Sequence, residues 1–153
     1  MFDLTILAFG KLKEEYWRVA GDEYLKRLKP YARIKIEELK SEAFSKTGHA
    51  TAKNEEAKRL ENYLSRKPEA TVFLLAEKGE EFDSLQFSMK LSQIKGPIIL
   101  VIGGSLGFSE KIFKTYQKIS LSKLTFPHEL ARVVLLEQLY RAATILNKKE
   151  YHY

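Results

Sequence analysis

Ile98-Ile99-Leu100-Val101-Ile102-Gly103-Gly104-Ser105-Leu106-Gly107 joins the most apolar run of the chain to its densest glycine cluster. Consecutive branched aliphatic residues, with Pro97 in front, predict a strand buried on both faces, as a parallel sheet covered by helices on either side requires. The glycines follow at its carboxyl end. In open α/β sheets that end is where ligands bind, because glycine lets a guest approach the backbone and leaves N–H groups free to meet it. The stretch therefore predicts the floor of a small-molecule site. A strand-to-helix turn needing positive φ accounts for the same residues.

Working outward, Leu4 to Phe9 is a short apolar run ending at Gly10, a buried first strand. Tyr16, Ala20, Tyr24 and Leu28 recur every four residues and predict a helix with one apolar face, closed by Pro30. Ile34 and Ile36 alternate with Arg33, Lys35 and Glu37, so the second strand has one wet face and belongs near an edge. Lys40 to Ala50 is the longest loop, polar and small apart from Phe44 and His49. Thr51 starts a helix whose buried side carries Ala57, Leu60 and Leu64, until Pro68 stops it. Thr71 to Ala76 is the third strand, running into Glu77-Lys78-Gly79, read as a second glycine turn. Asp83 or Ser84 caps the next helix, with Leu85, Phe87, Met89, Leu91 and Ile94 as its apolar residues. Ser109 caps a short helix with Ile112, Phe113 and Tyr116, and Ile119 to Leu124 reads as a fifth strand or an extended loop. This alternation predicts an α/β fold over a single domain, residues 1–153, with a mostly parallel sheet of five to six strands and helices on both faces.

The totals narrow the class. At 153 residues, 44% of them apolar and 30% charged, the chain fits one soluble globular domain. No run approaches the roughly 18 apolar residues of a membrane span, and Met1-Phe2-Asp3 lacks the basic lead-in of a signal peptide, so the expectation is a cytoplasmic protein. The absence of cysteine excludes disulfides and thiolate metal sites, and no His/Asp/Glu spacing suggests a metal. Net charge is +6. Between Lys11 and Lys35 stand Lys11, Lys13, Arg18, Lys26, Arg27, Lys29, Arg33 and Lys35 against Glu14, Glu15, Asp22 and Glu23, interleaved with Tyr16, Trp17, Tyr24 and Tyr31. Phosphate-neutralising and base-stacking groups of this kind serve RNA binding, and a solvated amphipathic helix has the same pattern.

Leu130 to Leu146 is apolar on every side at helical spacing, and a helix apolar all round must be covered all round. At the end of a small protein this implies a second copy of the chain, most simply a two-fold homodimer. Glu137 and Arg141, one turn apart, are either a helix ion pair or functional groups. His128 caps or packs at the start of this helix. The glycine cluster is neither the dinucleotide fingerprint nor a P-loop, and no serine sits in a nucleophile elbow.

Ile102-Gly103-Gly104-Ser105-Leu106-Gly107-Phe108, followed by the run from Leu121 to Ala142 with its Thr125-Phe126-Pro127-His128 and Glu137-Gln138-Leu139-Tyr140-Arg141 strings, resembles the ribosomal large subunit pseudouridine methyltransferase family of the SPOUT class. The opening Thr5 to Lys13 and the closing Tyr151-His152 are similar too, so the resemblance covers essentially the whole chain. It implies transfer of a methyl group from S-adenosylmethionine to N3 of a pseudouridine in large-subunit ribosomal RNA, on assembled ribosomes. It also implies a homodimer and a carboxyl-terminal trefoil knot that holds the cofactor. Carried over by position, cofactor contacts fall on Leu75, Gly103, Leu121, Ser122, Lys123, Leu124, Thr125 and Phe126. His152 and Tyr151 are the candidates for substrate positioning or proton removal, supported by Arg132 and Glu137. Three departures stand out: Phe108 where leucine is commoner, about one residue fewer between Gly107 and Leu121, and Tyr153 where a basic residue is expected. The alternatives are a SPOUT methyltransferase acting on transfer RNA and a non-catalytic RNA- or ribosome-binding protein.

Overall fold

The computed structural model describes residues 1–43 and 48–153. Its elements in chain order are β1 (Phe2–Phe9), α1 (Glu15–Leu28), β2 (Ala32–Leu39), α2 (His49–Leu64), β3 (Thr71–Glu81), α3 (Ser84–Ser92), β4 (Ile98–Ile102), α4 (Glu110–Thr115), β5 (Gln117–Ser120) and α5 (His128–Leu146). The strands form one five-stranded sheet in the order β2-β1-β4-β3-β5, with every pairing parallel.

β4 decides the architecture, and all five of its residues are buried. Leu100 and Ile102 face a core built with Leu28 of α1, Phe87 and Leu91 of α3, and Leu135 and Leu139 of α5. Ile99 and Val101 face the opposite core, with Leu60 and Leu64 of α2 and Ile112 of α4. Alternate side chains of one strand thus feed two helical layers, as the uninterrupted aliphatic run predicted. β2, with its charged alternation, lies at the sheet edge as expected.

Side-chain capping explains two of the five helix starts among the described residues. Asp83 caps α3 in a capping box with Gln86, and Ser109 caps α4 by accepting from Ile112 N–H. Four expectations are corrected. Helix α2 begins at His49, ahead of Thr51, with Gly48 in the cap position at a φ of 75°. Tyr16 leaves the apolar stripe of α1 and stands 62% exposed, because only Gly21 and Leu28 of this helix are fully buried. Leu85 and Met89 of α3 likewise face outward, and Phe87 and Leu91 carry its packing. The fifth strand is Gln117–Ser120, so Leu121 to Leu124 lies beyond the sheet. Of the loop from Lys40 to Ala50, the stretch 44–47 with Phe44 lies outside the described residues.

Candidate active site

A cavity of about 510 Å³ opens at the carboxyl ends of β3 and β4. That volume is within the roughly 300–1,000 Å³ of small-molecule sites. Leu75, Ala76 and Glu77 of β3 form one wall, Ile102 to Ser105 with Gly107 and Phe108 form the floor, and Leu121, Ser122, Leu124 to His128 and Ala131 close the far side. A β-turn from Gly104 to Gly107 shapes the floor, with the Gly107 N–H bonded to Gly104 O at 3.0 Å and Gly107 at a φ of 70°. The glycines make a turn and, in the same residues, the floor of the cavity. At Gly103 freedom of φ is not the issue. A Cβ there would stand 3.2 Å from the Phe108 ring, so a side chain at this point of the floor would have to push the ring aside by a few tenths of an ångström.

Of the positions singled out for cofactor contact, Leu75, Gly103, Leu121, Ser122, Leu124, Thr125 and Phe126 all line this cavity. Lys123 does not, and its Nζ lies 3.6 Å from Glu81 Oε1 on the exterior. The segment is braced by its own serines. Ser120 Oγ donates to Ser122 O at 2.9 Å, and Ser122 Oγ accepts the Leu124 N–H at 3.0 Å. Glu77 is held below the usual carboxylate range by its own backbone N–H and then by the Thr125 hydroxyl, which links the two walls.

The turn expected at Glu77-Lys78-Gly79 is not a chain reversal, since β3 continues to Glu81. Ile119 of β5 is paired with both Leu75 and Glu80, so the intervening residues bulge from the ladder. Two of them, Ala76 and Glu77, become cavity wall. Gly79 lies where the bulge returns, and a Cβ there would fall 2.5 Å from the Ile119 carbonyl carbon. The glycine is required by backbone contact, a reason that local composition does not reveal.

Glu56 of α2 is buried to 4% exposure behind the floor. Its Oε1 accepts the Glu42 N–H at 3.0 Å, and Oε2 has no partner. A Cβ on Gly104 would stand 3.3 Å from that free oxygen. Burial raises the carboxyl above its ordinary value of 4.5, opposed by the Glu42 N–H and the nearby Arg59 charge. A group whose pKa is raised on folding gives its full stability below the unfolded value and loses it as pH rises through the folded one. Wild-type stability is therefore expected to decline from about pH 4.5 upward through this group, and Glu56→Gln to lack that part of the decline, as denaturant midpoints measured across pH would record. The sequence held a usable signal: Ala52, Glu56, Leu60 and Leu64 share one stripe, and one of the four is charged.

Tyr151, His152 and Glu137 come together, away from the cavity lining. Glu137 Oε1 accepts from Arg141 Nε at 3.1 Å and Nη2 at 2.5 Å, and from the Tyr151 hydroxyl at 3.1 Å. Arg141 Nη1 lies 3.3 Å from His152 Nδ1. An arginine only donates, so Nδ1 accepts and the neutral ring carries its proton on Nε2. Burial, a hydrogen bond with Tyr24 and the Glu137 carboxylate push the Tyr151 phenol far above its ordinary value of 10. Tyr151 thus keeps its one proton directed at Glu137, and His152 has an Nε2–H to offer. Arg132 is not part of the cluster. It is 4% exposed and reaches Glu38 Oε2 at 3.1 Å and Gly10 O at 3.0 Å, tying the tips of β1 and β2 to the first turns of α5.

Along the basic segment, Arg27 pairs with Glu23 and Lys35 with Glu37. Lys11, Lys13, Lys26, Lys29 and Arg33 have no ion pair among the described residues. Tyr16 packs edge-on against Trp17 with ring centroids 4.9 Å apart. No described helix is long and apolar enough to cross a membrane, and no group of metal-ligating side chains gathers among the described residues.

A family model described as "Predicted SPOUT methyltransferase" matches residues 2–152. A relative in Ruminiclostridium cellulolyticum, named Ribosomal RNA large subunit methyltransferase H, is 41% identical over 159 residues, covering 97% of this chain and 98% of its own. Among solved structures, a "probable methylase family protein" of Haemophilus influenzae superposes with a TM-score of 0.59 at 10% identity, over 99% of this chain and 71% of that one. A Legionella pneumophila protein solved with the cofactor SAM bound gives 0.52 at 12% identity, over 93% of this chain and 66% of that one. At such identities the likeness of the solved structures concerns the fold alone.

Proposed function

The chain belongs to the SPOUT methyltransferase family, and from that premise we propose that it methylates N3 of a pseudouridine in large-subunit ribosomal RNA, with S-adenosylmethionine as donor. One observation carries the reading: the cavity at the β3 and β4 ends is lined by the same glycine floor and the same Leu121 to Phe126 segment that bear the family resemblance.

The residues fit the donor. The cavity has apolar walls at Leu75, Ile102 and Phe126 for an adenine, and a floor whose glycines leave the backbone open to a ribose. When bound, S-adenosylmethionine supplies a methyl group activated on a sulfonium. The chain's work is alignment and exclusion of water, since methyl transfer is an in-line displacement. A uracil-type N3 must also lose its proton, which builds negative charge on the flanking carbonyl oxygens. The free Nε2–H of His152 suits one of those oxygens, whereas the Tyr151 proton is already given to Glu137 and its ring positions the base; the N3 proton passes to water before the methyl transfer. Glu137 and Arg141 hold that pair in place, and Arg132 supports the site by fixing the start of α5.

The finer parts of the reading rest on the same geometry. The tail cluster stands off its own chain's cavity, while Leu130, Val134, Tyr140 and Ile145 leave one side of α5 only partly covered. A homodimer packed on that side would carry the cluster of one copy toward the cavity of the other. The unpaired lysines around α1 would meet ribosomal RNA phosphates, with Tyr16 and Trp17 free to stack. Residues 1–153 would act as one domain in the cytoplasm, where ribosomes are. The trefoil threading belongs to this reading too, supported by the way the segment after β5 lies across the ends of β3 and β4.

The deciding experiment incubates the protein and labelled S-adenosylmethionine with ribosomes from a strain lacking the modification, and with transfer RNA, then maps the methyl groups by mass spectrometry. The expected result is one N3-methylated pseudouridine in large-subunit RNA. Label found only in transfer RNA would transfer the activity to that substrate, and label in neither pool would leave a binding protein.

A further inference from the structure

Behind the glycine floor lies a second space of about 10 Å³, walled by Phe9, Leu60, Phe108 and Ile112, with Glu56 as its acidic member. That is about the volume of one water-sized group. The space shares Lys53, Gly107 and Phe108 with the main cavity, so the two are neighbours. Glu56 is the more unusual of its two charged residues. A carboxylate this buried is normally paired, because desolvation without compensation is expensive, yet Oε2 is free. Arg59, whose charge acts on Glu56, is already taken up by the Glu42 carboxylate and, at 3.0 Å, by Lys40 O. Lys53 stands one helical turn before Glu56, on the same side of α2, and has no ion pair among the described residues. The pair is a cation and an anion that leave each other unpaired at the edge of a ligand cavity.

We infer that Lys53 and Glu56 together form a subsite for a zwitterionic α-amino-acid group, Glu56 receiving the ammonium and Lys53 the carboxylate. Resting on the methyl-donor reading above, this assigns the pair to the amino-acid end of that donor. The size of the space sets the choice. An ammonium fills a water-sized recess and brings three N–H donors to an oxygen that lacks one. A larger group would not enter, and Ser109 adds a polar side chain to the lining beside Glu56. The subsite makes α2 a specificity element: it separates a donor carrying an amino-acid end from a nucleoside thioether without one.

The test is calorimetric and needs no turnover. S-adenosylhomocysteine and methylthioadenosine share an adenosine and a thioether, and only the first has the amino-acid end. On the full-length protein, wild type should bind S-adenosylhomocysteine roughly tenfold or more tightly than methylthioadenosine, the scale expected for charge-assisted hydrogen bonds in a buried site. Glu56→Gln and Lys53→Gln should each narrow that ratio while leaving the methylthioadenosine affinity unchanged. Lys53 is half-exposed, so its variant carries the test even where Glu56→Gln unfolds. A ratio unchanged in both variants, or an equal loss for both ligands, overturns the subsite and assigns Glu56 to holding the floor. Equal binding of the two ligands by wild type also overturns it, with the methyl-donor reading intact. Failure of wild type to bind either ligand instead removes that reading, and the subsite with it.

Discussion

Replacing Arg132 with alanine is expected to destabilise the fold by about 3 kcal/mol, the low end of what is lost when one partner of a buried ion pair is removed. The guanidinium is almost wholly buried; its Nη1 donates to Glu38 and its Nη2 to the Gly10 carbonyl, while its buried Nε has no partner. Truncation leaves both acceptors without their cation. Glu38 is 32% exposed at its side chain and recovers part of its hydration, which keeps the value from rising further. For a domain of this size the loss corresponds to a melting temperature lower by roughly 6–12 °C. Arg132→Lys should rescue little, because a point charge cannot serve two acceptors set apart for a planar fork. The pairing of Arg132→Met with Glu38→Gln should be milder than Arg132→Ala, since no buried charge is then stranded. Denaturant titration of the three variants is the check, and a change under about 1 kcal/mol for the alanine variant would contradict the account. The effect should extend to the ligand, because His128 and Ala131 of the same first turns line the cavity. Their position depends on Arg132 and on the bond from Lys13 N–H to Glu129.

Gly79→Ala is expected to be of similar size for a wholly steric reason. The added carbon would approach the Ile119 backbone to between 2.5 and 2.8 Å at three atoms, none of which can swing aside as a side-chain tip would. Overpacking against backbone costs about 1–3 kcal/mol and occasionally more, and this site belongs at the upper limit. Alanine in a strand ordinarily gains about 0.5–1 kcal/mol over glycine, too little to offset the collision. β3 and β5 should separate around the bulge, with faster amide exchange at Ile119 and weaker binding of S-adenosylhomocysteine, because Ala76 and Glu77 lose their support. Gly21→Ala makes the opposite case in the same molecule. Its new carbon would meet Leu12 and Leu136 at 3.6 and 3.7 Å, ordinary contact within a helix, and should stabilise by about 0.5–1 kcal/mol. Equal stabilities for the two variants would show that β3 has room to yield.

These two residues mark the boundary of what the sequence discloses. β4 and its glycines were legible because a doubly buried strand has a composition of its own, and β2 because alternation with charge identifies an edge. The alternation of elements, and with it the α/β class, follows from such local patterns. Gly79 was misread because Glu-Lys-Gly is turn chemistry locally, while its actual requirement is set by Ile119, forty residues downstream. Arg132 sat in a recognisable string, yet its partners lie at Gly10 and Glu38, which periodicity cannot connect to it. The cavity wall from Leu121 to Phe126 was reached through resemblance, and its physical shape, a serine-braced turn beyond β5, has no hydrophobic rhythm to betray it. Lys53 carried no signal at all, being one lysine on a charged helix.

The order of the sheet bears on how the chain gets there. β1 emerges first and holds an inner place, with Leu4 flanked by Ile34 on one side and Ile98 on the other. Its first neighbour follows within a few dozen residues, but the second comes only after two-thirds of the chain has been made. Until then one flank of β1 offers bare amides and carbonyls beside Ile6 and Leu7. Parallel pairings between distant segments form slowly, and an apolar flank left open invites association with other chains. Newly made copies are thus most vulnerable in the interval before β4 arrives, and the ligand cavity, which needs β4 and everything after it, is the last part of the molecule to take shape.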